Sequence, residues 1–227
     1  MESIAKGKLF VVATPIGNLE DITFRAIRTL KEATIILAED TRKTAKLLHH
    51  YDINTKMLSY RDQNHNRVIS PILDILNSCQ DIALVSDSGT PTISDPGFKL
   101  VRELVNHSIE IISIPGPSAA IAALSISGLP TDKFVFLGFL PKGQNKQRLL
   151  LQKYSNLDAT IILYESPYRV KKLLHSILDT LGDRTITVAN DLTKKFERTW
   201  HGKASDVLTI LEEITPKGEF TVLISKD

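Results

Sequence analysis

One pattern constrains this chain more than any other: short β-branched runs, each followed by a stretch with helical spacing. Residues 9–13, 34–38, 82–85 and 109–114 read as buried strands. Between and after them, 23–31, 41–50, 69–79, 97–107 and 118–127 read as helices. Leu100, Val101, Leu104 and Val105 make the apolar stripe of a helix lying on a sheet. A tight turn cannot join parallel strands, so this order predicts right-handed crossovers and a parallel sheet. The turn-rich Gly128-Leu-Pro-Thr-Asp132 then marks a break. Beyond it, strands at 134–137, 159–164, 185–189 and 220–224 alternate with helices near 146–154, 168–181 and 204–214. Gly218-Glu219 separates the last helix from the last strand, which predicts an antiparallel return at a sheet edge. The expected class is α/β, with two α/β lobes at 1–128 and 129–227.

Composition narrows the function classes. The single cysteine, Cys79, cannot form an internal disulfide and reads as a small, partly buried residue, which favours a reducing cytoplasm. No apolar run approaches the roughly 18 residues of a membrane span, and Met1–Gly7 lacks the apolar core of a secretory signal. Net charge is +2 over 227 residues, yet it is unevenly spread. Residues 1–130 hold 13 Lys+Arg against 14 Asp+Glu, and residues 131–227 hold 15 against 12. A local cationic surface matters more to a polyanion than the whole-chain sum.

The chemistry concentrates where strands of the first lobe end. Thr14-Pro-Ile-Gly-Asn-Leu-Glu-Asp21, Ser86-Asp-Ser-Gly-Thr-Pro-Thr-Ile-Ser-Asp-Pro-Gly97 and Pro115-Gly-Pro-Ser118 all follow strands of one sheet. Ligands of open α/β sheets bind beyond the carboxyl ends of the strands, where Gly permits close approach and Pro stiffens the loop. The phosphate-cradling Gly-x-x-x-x-Gly-Lys-Ser/Thr motif, the dinucleotide Gly-x-Gly-x-x-Gly motif and the Gly-x-Ser-x-Gly nucleophile elbow are all missing. The six His residues show no metal-ligand spacing.

Those loops, with Ala38-Glu-Asp-Thr-Arg42, resemble the motifs of the tetrapyrrole methylase superfamily, and within it the branch acting on small-subunit ribosomal RNA. Gly138-Phe-Leu-Pro141, Tyr164-Glu-Ser166 with Arg169, Leu192-Thr-Lys194 and Gly218-Glu219 continue the pattern in order, from about Leu9 to Ile224. The resemblance implies a tetrapyrrole methylase-like fold with a ligand cleft between the lobes. It also implies S-adenosyl-L-methionine as cofactor and 2′-O-methylation of a cytidine in the decoding region of 16S rRNA. The target would be met within the 30S subunit, by a homodimer. Two positions depart from the family: Asn190-Asp191 replaces Arg-Glu, and His65-Asn66-Arg67 replaces His-Asn-Glu.

Carried over position by position, the resemblance implies cofactor contacts at Pro15, Ile16, Gly17, Asp87, Gly89, Thr90, Ile93, Ser118, Ala119, Tyr164, Leu192 and Thr221. Several have plainer readings: Asp87 as a turn residue, Ser118 as a helix cap, Tyr164 as a core ring. Methyl transfer from a sulfonium needs alignment and a proton acceptor or polarising cation, with no metal. Glu39, Asp40, Arg42, Glu165 and Lys194 are the candidates for acceptor chemistry. Glu39 and Asp40 can equally cap the next helix, Arg42 can hold a phosphate, and Lys194 can be base, cation or phosphate contact. Phosphate contacts are expected from Lys142, Lys146, Arg148, Arg169, Lys172, Lys195 and Arg198, with Tyr60, Tyr168 and Trp200 as stacking surfaces, although Trp200 reads more readily as core or dimer interface. Two other readings compete: a methylase of a small macrocycle, and a non-catalytic RNA-binding module.

Overall fold

The computed structural model describes residues 5–226; Met1–Ile4, part of the segment read for a secretory signal, lies outside them. The chain divides into two units, one ending at Ser118 and one starting at Ala119. In the first unit, strands β1 (Leu9–Val12), β2 (Ile35–Ala38), β3 (Met57–Ser59), β4 (Ile82–Val85) and β5 (Ile111–Ile114) form one sheet ordered β3-β2-β4-β1-β5. Every pairing in it is parallel. Helices α1 (Phe24–Glu32), α2 (Thr41–His50), α3 (His65–Asn77) and α4 (Phe98–Asn106) make the crossovers.

The topology explains the burial. From β1 the chain steps through β2 to the edge strand β3, then reverses through β4 to β5. Right-handed crossovers in opposite directions place helices on opposite faces. Accordingly Ala26, Leu30, Leu47 and Leu48 of α1 and α2 pack with Val12, Ile36 and Val85. Val68, Ile72, Leu100 and Leu104 of α3 and α4 pack with Leu9, Leu37 and Leu84 on the other face. Adjacent β1 and β4 therefore send their following segments to opposite faces, which makes their carboxyl ends the switch point of the sheet.

In the second unit, β6 (Phe134–Phe139), β7 (Thr160–Glu165), β8 (Thr185–Asn190), β9 (Arg198–Lys203) and β10 (Phe220–Ile224) are ordered β6-β7-β10-β8-β9. Helices α6 (Gln144–Lys153), α7 (Val170–Leu181) and α8 (Ala204–Glu212) bury Leu151, Leu173, Ile177, Val207 and Leu211 with Ile161, Leu163, Val188 and Val222 of one sheet face. The other face meets α5 (Ala119–Ile126), which packs on β7 and β10.

Four expectations are corrected. The last strand is antiparallel to both neighbours as expected, but it is central; β9, a polar strand in a hairpin with β8, holds the edge. The boundary falls at Ser118/Ala119, before the expected 128/129, because α5 joins the second sheet. Helix α3 starts at His65 and runs through Pro71, four residues before the expected start at 69. Cys79 is exposed in a left-handed conformation (φ 59°) that ends the turn after α3.

Candidate active-site edge

At the switch point the loops after β1 and β4 are joined. Thr14 and Gly89 exchange two backbone hydrogen bonds of 2.9 Å, an isolated antiparallel bridge. Gly89 has φ +75°, and a Cβ there would lie 3.4 Å from Ile16 Cγ2 and 3.7 Å from the Pro117 carbonyl oxygen. Thr90 Oγ1 donates to that same carbonyl at 3.3 Å. Three strand-end loops thus converge on one glycine. A side chain would meet both neighbours at ordinary contact distance, so it is the left-handed backbone at this bridge that favours glycine. Pro15 and Ile16 are half-buried there, and Gly17 is exposed.

The rest of the 86–97 segment is held in unusual backbone conformations. Thr92 and Ser94 have φ 74° and 62°, and Ile93 between them is 45% exposed. Gly97, at φ 124°, donates its N–H to Asp62 Oδ1 at 3.1 Å. Asp62 and His65 also meet the Tyr60 hydroxyl, at 3.5 and 3.0 Å. Tyr60 is 1% exposed, and burial together with Asp62 pushes its phenol above the usual range. It is a buried anchor, and the expectation that it stacks on a base is corrected.

Glu39 and Asp40 stand where β2 stops. Asp40 caps α2, accepting the Arg42 N–H at 3.0 Å, and its carboxylate also takes Arg42 Nε and Nη2 at 3.1 and 2.8 Å. The hydrogen bonds from Arg42 hold its pKa far below the usual carboxylate range. Asp87 accepts the Asp40 N–H at 3.0 Å and Lys43 Nζ at 2.7 Å, and donates its own N–H to Glu39 Oε2 at 3.3 Å. Glu39 is pushed the other way: burial first, then the Asp87 charge, raise its pKa, against partial relief from the Asp87 N–H, then Arg61 and Lys43. Two adjacent carboxyls of one strand end thus differ in character. Asp40 is a fixed anion, whereas Glu39 is a carboxyl with raised proton affinity, suited to exchange a proton.

The second unit has its own cluster at strand ends. Tyr164, opposite Thr221 across the β7–β10 pair, accepts the Ala120 N–H at 3.1 Å and so fixes the start of α5. Its ring meets Phe136 and Phe139 edge-on, with centroids 4.8 and 5.7 Å away. Glu165 is buried with Arg169 Nε and Nη2 at 2.8 and 2.6 Å, and Arg169 Nη2 also reaches the Leu140 carbonyl. That pair fastens β7 to the turn before α7, so the Arg169 guanidinium is already occupied on one side.

After β8, Asp191 and Thr193 adopt φ 50° and 64°. Asp191 Oδ1 and Glu219 Oε2 both take Lys194 Nζ at 2.9 Å. Burial alone lowers the Lys194 pKa, but these two hydrogen bonds outweigh it and the net shift is upward. Lys194 is therefore a cation held between two carboxylates. Gly218, at φ +81°, is obligatory: a Cβ there would overlap the Asp191 carboxylate. Leu192 and Thr221 are buried beside this cluster's strands, while Lys142, Lys146, Arg148, Lys172, Lys195 and Arg198 are exposed. Tyr168 is 91% exposed; Trp200 packs partly buried against the core, in keeping with the plainer of its two readings.

The model of the Tetrapyrrole (Corrin/Porphyrin) Methylases matches residues 8–208. The chain belongs to the tetrapyrrole methylase family. Over 219 residues, 96% of its length, it is 48% identical to Ribosomal RNA small subunit methyltransferase I of Halalkalibacterium halodurans, covering 76% of that protein. It is 45% identical to the protein of the same name from Thermotoga maritima, covering 98% of it. The fold is shared with diphthine synthase (TM-score 0.73, 13% identity, 96% and 90% of the two chains). It is shared also with uroporphyrin-III C-methyltransferase of Thermus thermophilus complexed with S-adenosyl homocysteine (TM-score 0.65, 19% identity, 96% and 97%).

Several residues at these edges carry no signal in the sequence alone. Lys43, Arg61 and Asp62 act as partners at these edges and belong to no motif, whereas Thr14 and Glu219 lie in motifs but far along the chain from what they hold.

Proposed function

We propose that this protein is an S-adenosyl-L-methionine-dependent methyltransferase that modifies the ribose 2′-hydroxyl of a cytidine in the decoding region of 16S rRNA. The observation that carries the reading is the closure of the three strand-end loops on Gly89, at the switch point of a family member whose relatives bear the small-subunit rRNA name. The cofactor reading is supported by this cradle, by the family match and by the S-adenosyl homocysteine complex of a protein with the same fold. The cytidine and its 2′-oxygen rest on the motif resemblance.

Gly89, Thr90 and Ile16 would hold the cofactor in the first unit, with Gly17 and Ile93 at its rim and Asp87 accepting hydrogen bonds. When bound, the cofactor supplies an activated methyl group that carries its own leaving group. The chain must then align the acceptor oxygen and take away its proton. Glu39 suits the proton transfer because its carboxyl has raised proton affinity. Lys194 suits the fixed positive charge because two carboxylates keep it protonated. Work in the cytoplasm as a homodimer on the 30S particle belongs to the same proposal.

The test is incubation of the purified chain with methyl-labelled S-adenosyl-L-methionine and unmodified 30S subunits. Label is expected at the ribose of one decoding-region cytidine. Absence of label from RNA, with the cofactor bound, would overturn the reading.

A further inference from the structure

Residues 1–130 are slightly acidic in sum, yet α2 contains no acidic residue at all. Its sequence, Thr41-Arg-Lys-Thr-Ala-Lys-Leu-Leu-His-His50, buries Thr44, Leu47 and Leu48 and turns Arg42, Lys43, Lys46, His49 and His50 outward. At about 100° per residue these five fall within roughly 120° of arc. The stripe runs about 12 Å along the helix.

Helix stability does not account for it. Arg42 and Lys43 occupy the first turn, where the helix dipole disfavours cations. Arg42 and Lys46 stand four apart on the same face, a like-charge spacing that destabilises a helix. Asp40 and Asp87 compensate only the first turn. Lys46 and the two His side chains make no hydrogen bond or ion pair among the described residues, and Arg42 stays 87% exposed despite its contact with Asp40. Arg61, exposed past β3 and donating Nε to the Glu39 carbonyl at 3.0 Å, adds a cation beside the same edge. The stripe begins at the Glu39–Asp87 cluster, joined to it through the 2.7 Å Lys43–Asp87 contact.

We infer that the outer face of α2 is a phosphate track that guides the RNA strand flanking the target nucleotide toward the Glu39 edge. Its length of about 12 Å is enough to meet a short run of successive phosphates. Arg and Lys engage these by charge, and an imidazole N–H donates to a phosphate oxygen. This rests on the RNA reading above and adds to the cationic positions of the second unit a surface in the first.

The experiment compares the full-length protein with Lys46→Glu, Lys46→Arg and the double variant His49→Ala/His50→Ala. Filter retention of 30S subunits is measured across salt, alongside methyl-transfer kinetics. Lys46→Glu should weaken 30S binding about tenfold and flatten the slope of log affinity against log salt by about one. The double variant should weaken it several-fold, and Lys46→Arg should match the wild type. Cofactor KM and kcat at saturating 30S should not move in any of them, and Tm should not fall, since Lys46→Glu removes a like-charge pair with Arg42. Wild-type affinity and salt slope in both Lys46→Glu and the double variant would overturn the track. If the wild type labels no RNA while Lys46→Glu still loses 30S binding, the track stands and the methylation reading falls. If the wild type labels rRNA and the variants match it throughout, the track falls and the methylation reading stands.

Discussion

Glu39 and Asp40 are neighbours in the chain with opposite protonation behaviour: Arg42, two residues on, holds Asp40 down, whereas burial and Asp87, which the sequence does not place beside it, push Glu39 up. That a strand stops at residue 38 and a capped helix follows was readable from the β-branched run and the Asp-Thr that succeeds it. Asp87, 47 residues further on, was not, because only the β2–β4 pairing brings it there. The consequence is measurable. A carboxyl whose pKa is higher in the folded than in the unfolded state binds protons more tightly when native, so its contribution to stability falls as pH rises through the raised pKa. At neutral pH the ionised Glu39 therefore costs stability. Glu39→Gln keeps an oxygen acceptor for the Asp87 N–H and removes the charge. Its Tm should exceed that of the wild type by about 1–3 °C at pH 7.5, with the gap closing toward pH 4. A calorimetric scan showing a lower Tm at pH 7.5 would contradict the arrangement. The same variant should lose methyl transfer if Glu39 handles the proton.

Elements were legible where one physical rule decided them. Strands β1, β2, β4 and β5 of the first unit announced themselves as apolar runs, whereas β3, three residues long with its last one exposed, did not. Strand β9, Arg-Thr-Trp-His-Gly-Lys, was invisible too: an edge strand with half its residues in water has no apolar run to reveal it. Its role shows in the clasp between α5 and the second sheet. Thr187 Oγ1, fully buried on β8, donates to the Ser127 carbonyl at 2.8 Å and lies 3.0 Å from His201 Nδ1 on β9. Thr187→Val keeps the shape and removes the hydroxyl. It leaves a buried carbonyl with fewer partners, and about 1–2 kcal/mol of stability should be lost in urea unfolding. An unchanged midpoint at unchanged slope would mean that the clasp contributes nothing.

Across the whole molecule, the two-part organisation was readable from the restart of the strand–helix pattern, but the point of division was not. Gly128-Leu-Pro-Thr-Asp132 has the chemistry of a turn, and a turn is a local property. Which sheet a helix belongs to is decided by burial against strands distant in sequence. The helix Ala119–Ile126 is apolar nearly all round, so its sequence does not declare a face. The structure places Ala120, Ala123 and Leu124 in contact with the second unit, with Ala120 tied to Tyr164 and Ser127 to Thr187. A fragment of residues 119–227 should accordingly unfold cooperatively in urea. A fragment of residues 129–227 strips the α5 cover from β7 and β10 and removes the partners of two polar side chains. Exposing that apolar face should cost at least about 3 kcal/mol relative to the longer fragment. It should also raise the binding of a hydrophobic dye in the absence of denaturant. Equal stability of the two fragments would return the boundary to Gly128. A stable 129–227 fragment would further mean that β6 to β10 bury enough on the face of α6, α7 and α8 to stand without α5.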